Sequence, residues 1–420
     1  MKNKSHYFPR FKCIEQKIKT PQLKDIESYI LSELQHFDLK SLVEKGDKIA
    51  LTASSRGIIK QDIILKIIVN YLKDLDTNPF IIPAMGSHGG ATIEGQLRIL
   101  EEYGISSEKM GCPIKATMDT INIGKNEFET PIFIDKYVVE ADKIIIINKI
   151  NTHSKFVGEV ESGLSKMRLI GLGKHLGSKL YHRLIERYSW SGVVSSIREI
   201  ILEKLPIICG CAIIQNDQNQ IAEIHLLHPK QFAEKEPKLL NKYREIKPQI
   251  PFNNLDLLIV DQMGKNIFGT GMDTSITGRK SDSEMNIQWV FVRELTEETH
   301  GNAQGIGLAD FTTERLVDKI DFSQTYENAL TAYRTDSPKI PIYLSNDKEV
   351  LNKVFEVAGI NDPSKFRFVW IKNTLNLKKM LVSESFFDEI EEKENLKAIS
   401  KPEEFQFNKE GFLINSSKYW

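Results

Sequence analysis

The sequence has 420 residues, more than a single domain usually contains, and predicts two domains. Lys and Arg total 56 against 57 Asp and Glu, so a formal net charge of −1 gives no electrostatic reason to expect a nucleic acid or an anionic membrane as partner. Hydrophobic residues make up 41% and charged residues 27%, an ordinary balance that allows a sizeable core.

The N-terminal segment and the cysteines bear on the compartment. The first residues contain no apolar stretch of the kind that secretory signals carry. The longest aliphatic run, 144–147, is far too short to span a bilayer. The four cysteines are scattered, and Cys209 and Cys211 alternate within a strand-like segment, which favours buried free thiols over a metal pair. We therefore expect a cytoplasmic protein.

Short apolar runs alternate with amphipathic segments from residue 45 onward. The aliphatic run 143–148 is typical of a strand buried on both faces of a parallel sheet. The pattern predicts strands at 47–53, 78–84, 143–148, 206–214, 255–261, 288–293 and 366–371, and helices at 60–75, 92–103, 323–333 and 346–357. This alternation predicts an α/β fold with mostly parallel sheets flanked by helices.

The polar segment 229–251, rich in Lys, Glu and Pro, separates two halves of different content. We therefore predict an N-terminal cofactor-binding domain over residues 1–245 and a C-terminal domain over 246–420. The active site is expected in the cleft between them.

Two polar segments follow predicted strands in the first half, where ligands of α/β sheets bind. Ser54, Ser55 and Arg56 come directly after the strand 47–53 and could form an anion cradle, although Arg56 could also be an ordinary surface residue. His88 is flanked by glycines on both sides, in the segment 86–90. Glycine costs stability unless a loop needs it, so we interpret His88 as functional.

A third polar segment, 148–156, follows the aliphatic run and contains His153. A fourth, 161–182, comes directly after it and contains Lys166 and His182. A histidine alone in a loop is more often solvated than catalytic, and that interpretation fits His36 and His225. Three glycines between Lys166 and His182 do not have the spacing of a dinucleotide-binding fingerprint. The second half contains two Gly-rich loops, 261–273 and 300–310, and Lys265 lies in the first of them. These loops are either simple turns or one wall of a cleft.

Taken together, these motifs resemble the nickel-dependent lactate racemase family, in particular the branch with a Gly-Ser-His-Gly-Gly loop. The resemblance covers roughly residues 45 to 385 by motif order. It is carried by 86–90, by Thr152-His153, by 161–166 and by the sixteen residues from Lys166 to His182.

The resemblance implies a cofactor and a chemistry. The cofactor would be a nickel-pincer nucleotide, a nickel pyridinium-3,5-bisthiocarboxylic acid mononucleotide, made by separate cofactor-maturation enzymes and tethered to Lys166 by a thioamide bond. His182 would be a nickel ligand. His88 and His153 would act as an acid–base pair on opposite sides of C2 of a 2-hydroxy acid, and hydride transfer from and back to C2 would invert that centre.

The resemblance also implies binding residues and leaves some questions open. Ser54, Ser55 and Arg56 would bind the cofactor, and Arg56 and Lys265 would contact the substrate carboxylate. The lactate-specific pattern has Asp at position 53, Pro at 57 and Arg at 89, whereas this chain has Ala53, Gly57 and Gly89. The substrate is therefore lactate or a larger hydroxy acid, such as a sugar acid or an aryl hydroxy acid. A nickel-free dehydrogenase or lyase that uses a soluble nucleotide is the alternative, and a non-catalytic nucleotide-binding module is a third reading.

Overall fold

The computed structural model describes residues 8–55, 58–218, 220–331, 333–359 and 362–420. The chain forms two compact units. One, here called the N-terminal unit, is Thr20–Lys247; the other, the C-terminal unit, combines the residues up to Lys19 with Pro248–Trp420. The sequence-based division at 245/246 lies close to the second boundary. It differs at the start of the chain, because the first strand pairs with strands from the end of the chain.

The strands are named in chain order. They are β1 (Phe11–Gln16), β2 (Lys48–Ala53), β3 (Asn78–Pro83), β4 (Thr120–Lys125), β5 (Pro131–Asp135), β6 (Lys143–Lys149), β7 (Ile207–Gln215), β8 (Ile221–Leu227), β9 (Asn254–Met263), β10 (Asn286–Leu295), β11 (Phe311–Thr313), β12 (Ile342–Leu344), β13 (Phe368–Ile371), β14 (Lys379–Ser383) and β15 (Leu396–Ala398).

The α-helices are named in the same way. They are α1 (Ile26–His36), α2 (Gln61–Asp74), α3 (Ile93–Glu102), α4 (Ser107–Met110), α5 (Lys136–Val139), α6 (Leu164–Lys166), α7 (Lys174–Tyr188), α8 (Trp190–Lys204), α9 (Phe232–Ile246), α10 (Glu314–Val317), α11 (Phe322–Thr331), α12 (Asp347–Ala358) and α13 (Phe387–Glu392). A π-helical turn, Met167–Gly171, lies between α6 and α7.

The N-terminal unit is built on a sheet of order β3-β2-β6-β7-β8. Strands β3, β2, β6 and β7 are parallel, and β8 is antiparallel. One apolar cluster covers each face: α1 and α2 pack on one side, and α7, α8 and α9 on the other. The four isoleucines 144–147 alternate between the two clusters, which explains why the sequence of β6 has no polar face.

The C-terminal unit contains a mixed sheet of order β12-β11-β10-β9-β13-β14-β1-β15. The strands from β12 to β13 are parallel, and β14, β1 and β15 form antiparallel pairs. Apolar side chains of β9, β10 and β13 fill clusters on both faces of the sheet.

The predicted α/β class with mostly parallel sheets and flanking helices is confirmed. The predicted elements also occur close to their expected bounds: the helix predicted at 60–75 is observed as Gln61–Asp74, and the strand predicted at 255–261 as Asn254–Met263. The position of the active site in an interdomain cleft stays a prediction. No helix in the described ranges is long and apolar enough to cross a membrane.

Candidate functional site

Three of the loops singled out from the sequence begin at one edge of the N-terminal sheet. They follow β2, β3 and β6, which are adjacent and parallel. The strand order reverses at β2, because β3 lies on one side of it and β6 on the other. Thr52 Oγ1, in β2, accepts a 2.8 Å hydrogen bond from Ile147 N, in β6. Such a reversal point is where open α/β sheets bind ligands.

His88 lies in the loop after β3 and has an exposed ring. Its Nδ1 is hydrogen-bonded to the hydroxyl of Ser55, from the loop after β2. Gly89 has a φ of +68°, and a Cβ there would lie 2.5 Å from the backbone of Gly95. Only glycine fits this position, which explains one of the glycines beside His88.

The backbone of the His88 loop is held by a buried amide. Gln96 Nε2 donates to the carbonyl oxygens of Gly86 (3.1 Å) and His88 (3.3 Å). Gly86 N donates to the carbonyl oxygen of Gly171 at 3.2 Å, which joins this loop to the π-helical turn. The His88 loop is therefore held by hydrogen bonds to α3 and to the segment that follows Lys166.

Gln96 is itself bound by a buried lysine, Lys174. The Nζ of Lys174 donates to Gln96 Oε1 at 2.7 Å and to the carbonyl oxygen of Pro83 at 2.8 Å, and it lies 3.5 Å from an Asp135 carboxylate oxygen. Burial raises the pKa of Asp135 to about 6, although the nearby Lys174 opposes the shift. Burial also lowers the pKa of Lys174, against the attraction of Asp135. Lys174, at the start of α7, thus contacts the ends of both β3 and β5.

His153, in the loop after β6, is held through both its ring and its backbone. Its Nδ1 accepts hydrogen bonds from the backbone N–H groups of Lys155 (3.2 Å) and Phe156 (3.1 Å). Its own backbone N–H donates to a carboxylate oxygen of Glu161 at 2.7 Å. The other oxygen of this buried carboxylate accepts a 2.6 Å hydrogen bond from Arg244.

The ring of Phe156 brings three of the sequence-predicted residues together. The His153 ring stacks on it at a centroid distance of 4.0 Å, and Trp190 stacks on it at 4.2 Å. The His182 ring centroid lies 5.8 Å from that of Phe156, and the Nζ of Lys166 lies 5.7 Å from it. A histidine from the β6 loop, the last residue of α6 and a histidine of α7 thus surround one buried aromatic ring.

The environment of His182 keeps its imidazole neutral. Burial, with smaller contributions from the charges of Lys166 and Lys155, lowers the pKa of His182 to about 4. A neutral imidazole has a lone pair for a metal ion at physiological pH. No group of three or more His, Cys, Asp or Glu side chains that could hold a metal ion occurs within the described ranges.

The short helix that carries Lys166 is anchored from α9. The buried carboxylate of Glu236 accepts a 2.5 Å hydrogen bond from the Ser165 hydroxyl and 3.1 Å bonds from its backbone N–H. Gly163 precedes the helix, and a Cβ there would lie 2.4 Å from Glu236 Oε1. The residue before Lys166 is therefore fixed, and a π-helical turn, a feature frequent at functional sites, follows directly.

The remaining predicted residues lie in different places. Ser54 donates to Gln61 Oε1 at 3.2 Å, at the start of α2. Arg56 lies outside the described residues. Lys265 lies in the C-terminal unit, after β9, where its Nζ donates to the carbonyl oxygen of Gly269 at 2.8 Å.

The structure adds residues that sequence reasoning missed. Phe156 was available as an aromatic residue close to His153, but its contacts with Lys166 and His182 depend on the fold. Lys174 carries no signal in the sequence, because a lysine in a Gly-rich segment is usually solvated. Lys149 ends β6 at the reversal point of the sheet, and burial lowers its pKa to about 8. A hydrophilic residue directly after an aliphatic run is the only signal that could have identified it.

The overall structure is similar to that of the lactate racemase apoprotein from Thermoanaerobacterium thermosaccharolyticum. The TM-score is 0.55 at 13% sequence identity, over 87% of this chain and 98% of that one. The protein is thus an α/β protein with the lactate racemase fold. Residues 10–187 match the model of the lactate racemase N-terminal domain family. No curated protein shows a significant sequence match to the chain.

Proposed function

We propose that this protein is a racemase or epimerase that inverts C2 of a small 2-hydroxy acid. The observation that carries the proposal is the convergence of Lys166, His182 and His153 on the ring of Phe156. The match of residues 10–187 to the lactate racemase N-terminal domain family and the lactate racemase fold support it. An amine, a neutral imidazole and a further histidine side by side suit a tethered metal cofactor next to a group that contacts the substrate oxygen.

The residues fit a nickel-pincer nucleotide. Lys166 offers an amine for a thioamide tether, and the lowered pKa of His182 leaves one nitrogen of its imidazole unprotonated, with a lone pair for nickel. Ser54, Ser55 and Arg56 would bind the nucleotide at the edge of the sheet, where hydroxyls and a guanidinium suit an anionic group. The bound cofactor would supply a hydride acceptor and donor for C2.

The chain itself would bind and orient the hydroxy acid. His88 and His153 would contact the C2 oxygen, with Ser55 orienting the His88 ring. Arg56 and Lys265 would bind the carboxylate, because a guanidinium or an ammonium forms charge-assisted hydrogen bonds with carboxylate oxygens. Ala53 and Gly89 replace larger polar residues of the lactate-specific pattern. The proposed substrates therefore include larger hydroxy acids besides lactate.

The proposal has two partner classes, the small-molecule acid and the cofactor-maturation enzymes. We also propose a cytoplasmic location. The four cysteines are free and buried, which suits a reducing compartment.

The first test is cofactor loading. The chain is purified after co-expression with nickel-pincer maturation enzymes and analysed by intact mass and metal content. We expect a covalent adduct that disappears in Lys166→Ala and persists in Lys179→Ala, an exposed lysine of α7. Bound nickel should fall in His182→Ala and not in His175→Ala, which changes an exposed histidine of the same helix. An adduct that survives Lys166→Ala contradicts the tether.

The second test is catalysis. The loaded protein is incubated with a panel of 2-hydroxy acids in H₂O and in D₂O, and products are separated on a chiral column. Hydride that returns to the same carbon predicts inversion with little solvent deuterium at C2. Full deuterium incorporation indicates a carbanion route and rules out hydride transfer. Turnover that depends on added nicotinamide nucleotide and survives Lys166→Ala supports the nickel-free alternative.

A further inference from the structure

The ring of His153 is held with a defined nitrogen facing the backbone. Two amide N–H groups, of Lys155 and Phe156, point at its Nδ1 at 3.2 and 3.1 Å. An amide N–H can only donate, so Nδ1 must accept. A neutral imidazole has one protonated nitrogen, and here that nitrogen is Nε2.

The surroundings hold this orientation. The His153 ring lies nearly parallel to that of Phe156, at an interplanar angle of 12°, and Trp190 supports the opposite side of the stack. The backbone N–H of His153 is fixed to buried Glu161, which is paired with Arg244. Turning the ring over would break two hydrogen bonds. Protonating Nδ1 would direct a third N–H at the two amide donors, which is unfavourable.

His88 is placed differently. Its Nδ1 faces the hydroxyl of Ser55, which can either donate or accept a hydrogen bond. A hydroxyl partner therefore accommodates the neutral ring and the imidazolium equally well. The two histidines, which the sequence alone presents as equivalent, differ in whether their surroundings tolerate a change of protonation.

We propose that His153 is a fixed hydrogen-bond donor, and that His88 alone transfers the substrate proton. This inference rests on the proposed function. In the forward step the hydroxyl proton of the substrate forms an N–H bond at Nε2 of His88, which becomes imidazolium. The electron pair of the broken O–H bond becomes the second bond of the C2 carbonyl, as C2 hydride leaves with its own electron pair for the hydride acceptor of the proposed function. After the keto acid turns about its C2–O axis and presents its other face, hydride returns to C2 and the His88 imidazolium gives the proton back to the same oxygen. Throughout, Nε2–H of His153 donates to the same oxygen and keeps its proton.

The first test reads the tautomer directly and needs no activity. The full-length protein is labelled with ¹⁵N-histidine, and long-range ¹H–¹⁵N spectra are recorded at neutral pH, with and without cofactor loading. The His153 signals are identified by their loss in His153→Gln. We expect an unprotonated Nδ1 and a protonated Nε2. A protonated Nδ1, in either the neutral or the imidazolium form, overturns the proposal.

The second test uses matched substitutions in the loaded enzyme. Glutamine places an amide N–H near the position of His Nε2 but cannot take up a proton. We expect His153→Gln to retain activity within about tenfold of wild type, whereas His153→Ala loses about 100-fold or more. Both His88→Gln and His88→Ala should lose about 100-fold or more. Equal loss in His153→Gln and His153→Ala, with circular dichroism spectra like that of wild type, overturns the proposal.

The two tests separate this inference from the proposed function. If no 2-hydroxy acid is inverted by the loaded wild-type protein, the proposed function fails and the substitution series has no baseline. The spectra then still decide the protonation of His153. If wild type is active and His153→Gln is not, the proposed function stands and the donor role of His153 fails.

Discussion

Lys174 and Gln96 are joined by a 2.7 Å hydrogen bond between a buried ammonium and a buried amide oxygen. The nitrogen of the same amide donates to the carbonyl oxygens of Gly86 and His88. An amide has one oxygen and one nitrogen, so the ammonium determines which way it faces. The position of His88 is thereby tied to a lysine that does not touch its ring.

We predict that Lys174→Met lowers the free energy of unfolding by about 3–5 kcal/mol, because it leaves the buried carboxylate of Asp135 without its cation. The measurement is urea denaturation at pH 7. Lys179→Met, on the exposed side of the same helix, should change the free energy by less than about 0.5 kcal/mol. The double variant Lys174→Met/Asp135→Leu should recover part of the loss. A double variant less stable than Lys174→Met contradicts this account.

The same pair gives a pH dependence. Burial raises the pKa of Asp135 to about 6 in the folded protein, above its value in the unfolded chain. The folded state therefore binds more protons between about pH 4 and 6, and this contribution to stability is lost as the pH rises through about 6. We predict that the stability difference between wild type and Asp135→Asn shifts against wild type over this window. Urea titrations at several pH values measure it; a constant difference would show that Asp135 does not titrate there.

We expect Ser55 to affect catalysis through its hydrogen bond to His88. Ser55→Ala removes the hydroxyl at Nδ1, so the ring loses its orientation and the partner of its imidazolium form. We expect kcat to fall by about tenfold or more, as for a lost hydrogen bond to a group that becomes charged, with a smaller change in KM. The control is Ser41→Ala, which changes an exposed serine whose hydroxyl donates to the nearby carbonyl oxygen of Asp38. An unchanged kcat would show that His88 does not depend on Ser55.

Phe156 supports three candidate residues at once. We predict that Phe156→Leu lowers the free energy of unfolding by about 1–3 kcal/mol, because it replaces a fully buried ring with a smaller side chain and removes the stacking contacts with His153 and Trp190. We also expect less nickel and less covalent adduct after co-expression. Phe128→Leu, which disrupts the stack of Phe128 on Tyr188 at 3.9 Å, controls for the loss of an aromatic pair alone. Equal loading of the two variants argues against a role for Phe156 in the site.

The fold was predictable where local periodicity decides it. The isoleucines of β6 and the amphipathic pattern of α2 are set by their own sequence and the face that each element buries. The strand β1 was not predicted, because its partners lie more than 350 residues away, at Met380 and Ala398, and no short-range pattern reports such pairing.

The candidate site was predictable in part for similar reasons. The glycines mark the His88 loop, since a positive φ limits the residue type. The tautomer of His153 and the burial of Lys174 were not predictable. The burial of Lys174 depends on partners that are distant in sequence, at Pro83 and Gln96. The tautomer of His153 depends on the exact conformation of its own loop, in which two backbone N–H groups point at Nδ1, and no sequence pattern specifies that conformation.

The π-helical turn between Lys166 and His182 has a consequence for protein engineering. At 100° per residue, sixteen residues of an unbroken α-helix would turn the two side chains about 160° apart, onto opposite sides. Here both lie near the ring of Phe156, because α6, the π turn and α7 do not form one regular helix. Copying the lysine and the histidine at this spacing onto a straight helix of another scaffold would separate them. The interrupted backbone is the part that must be transplanted.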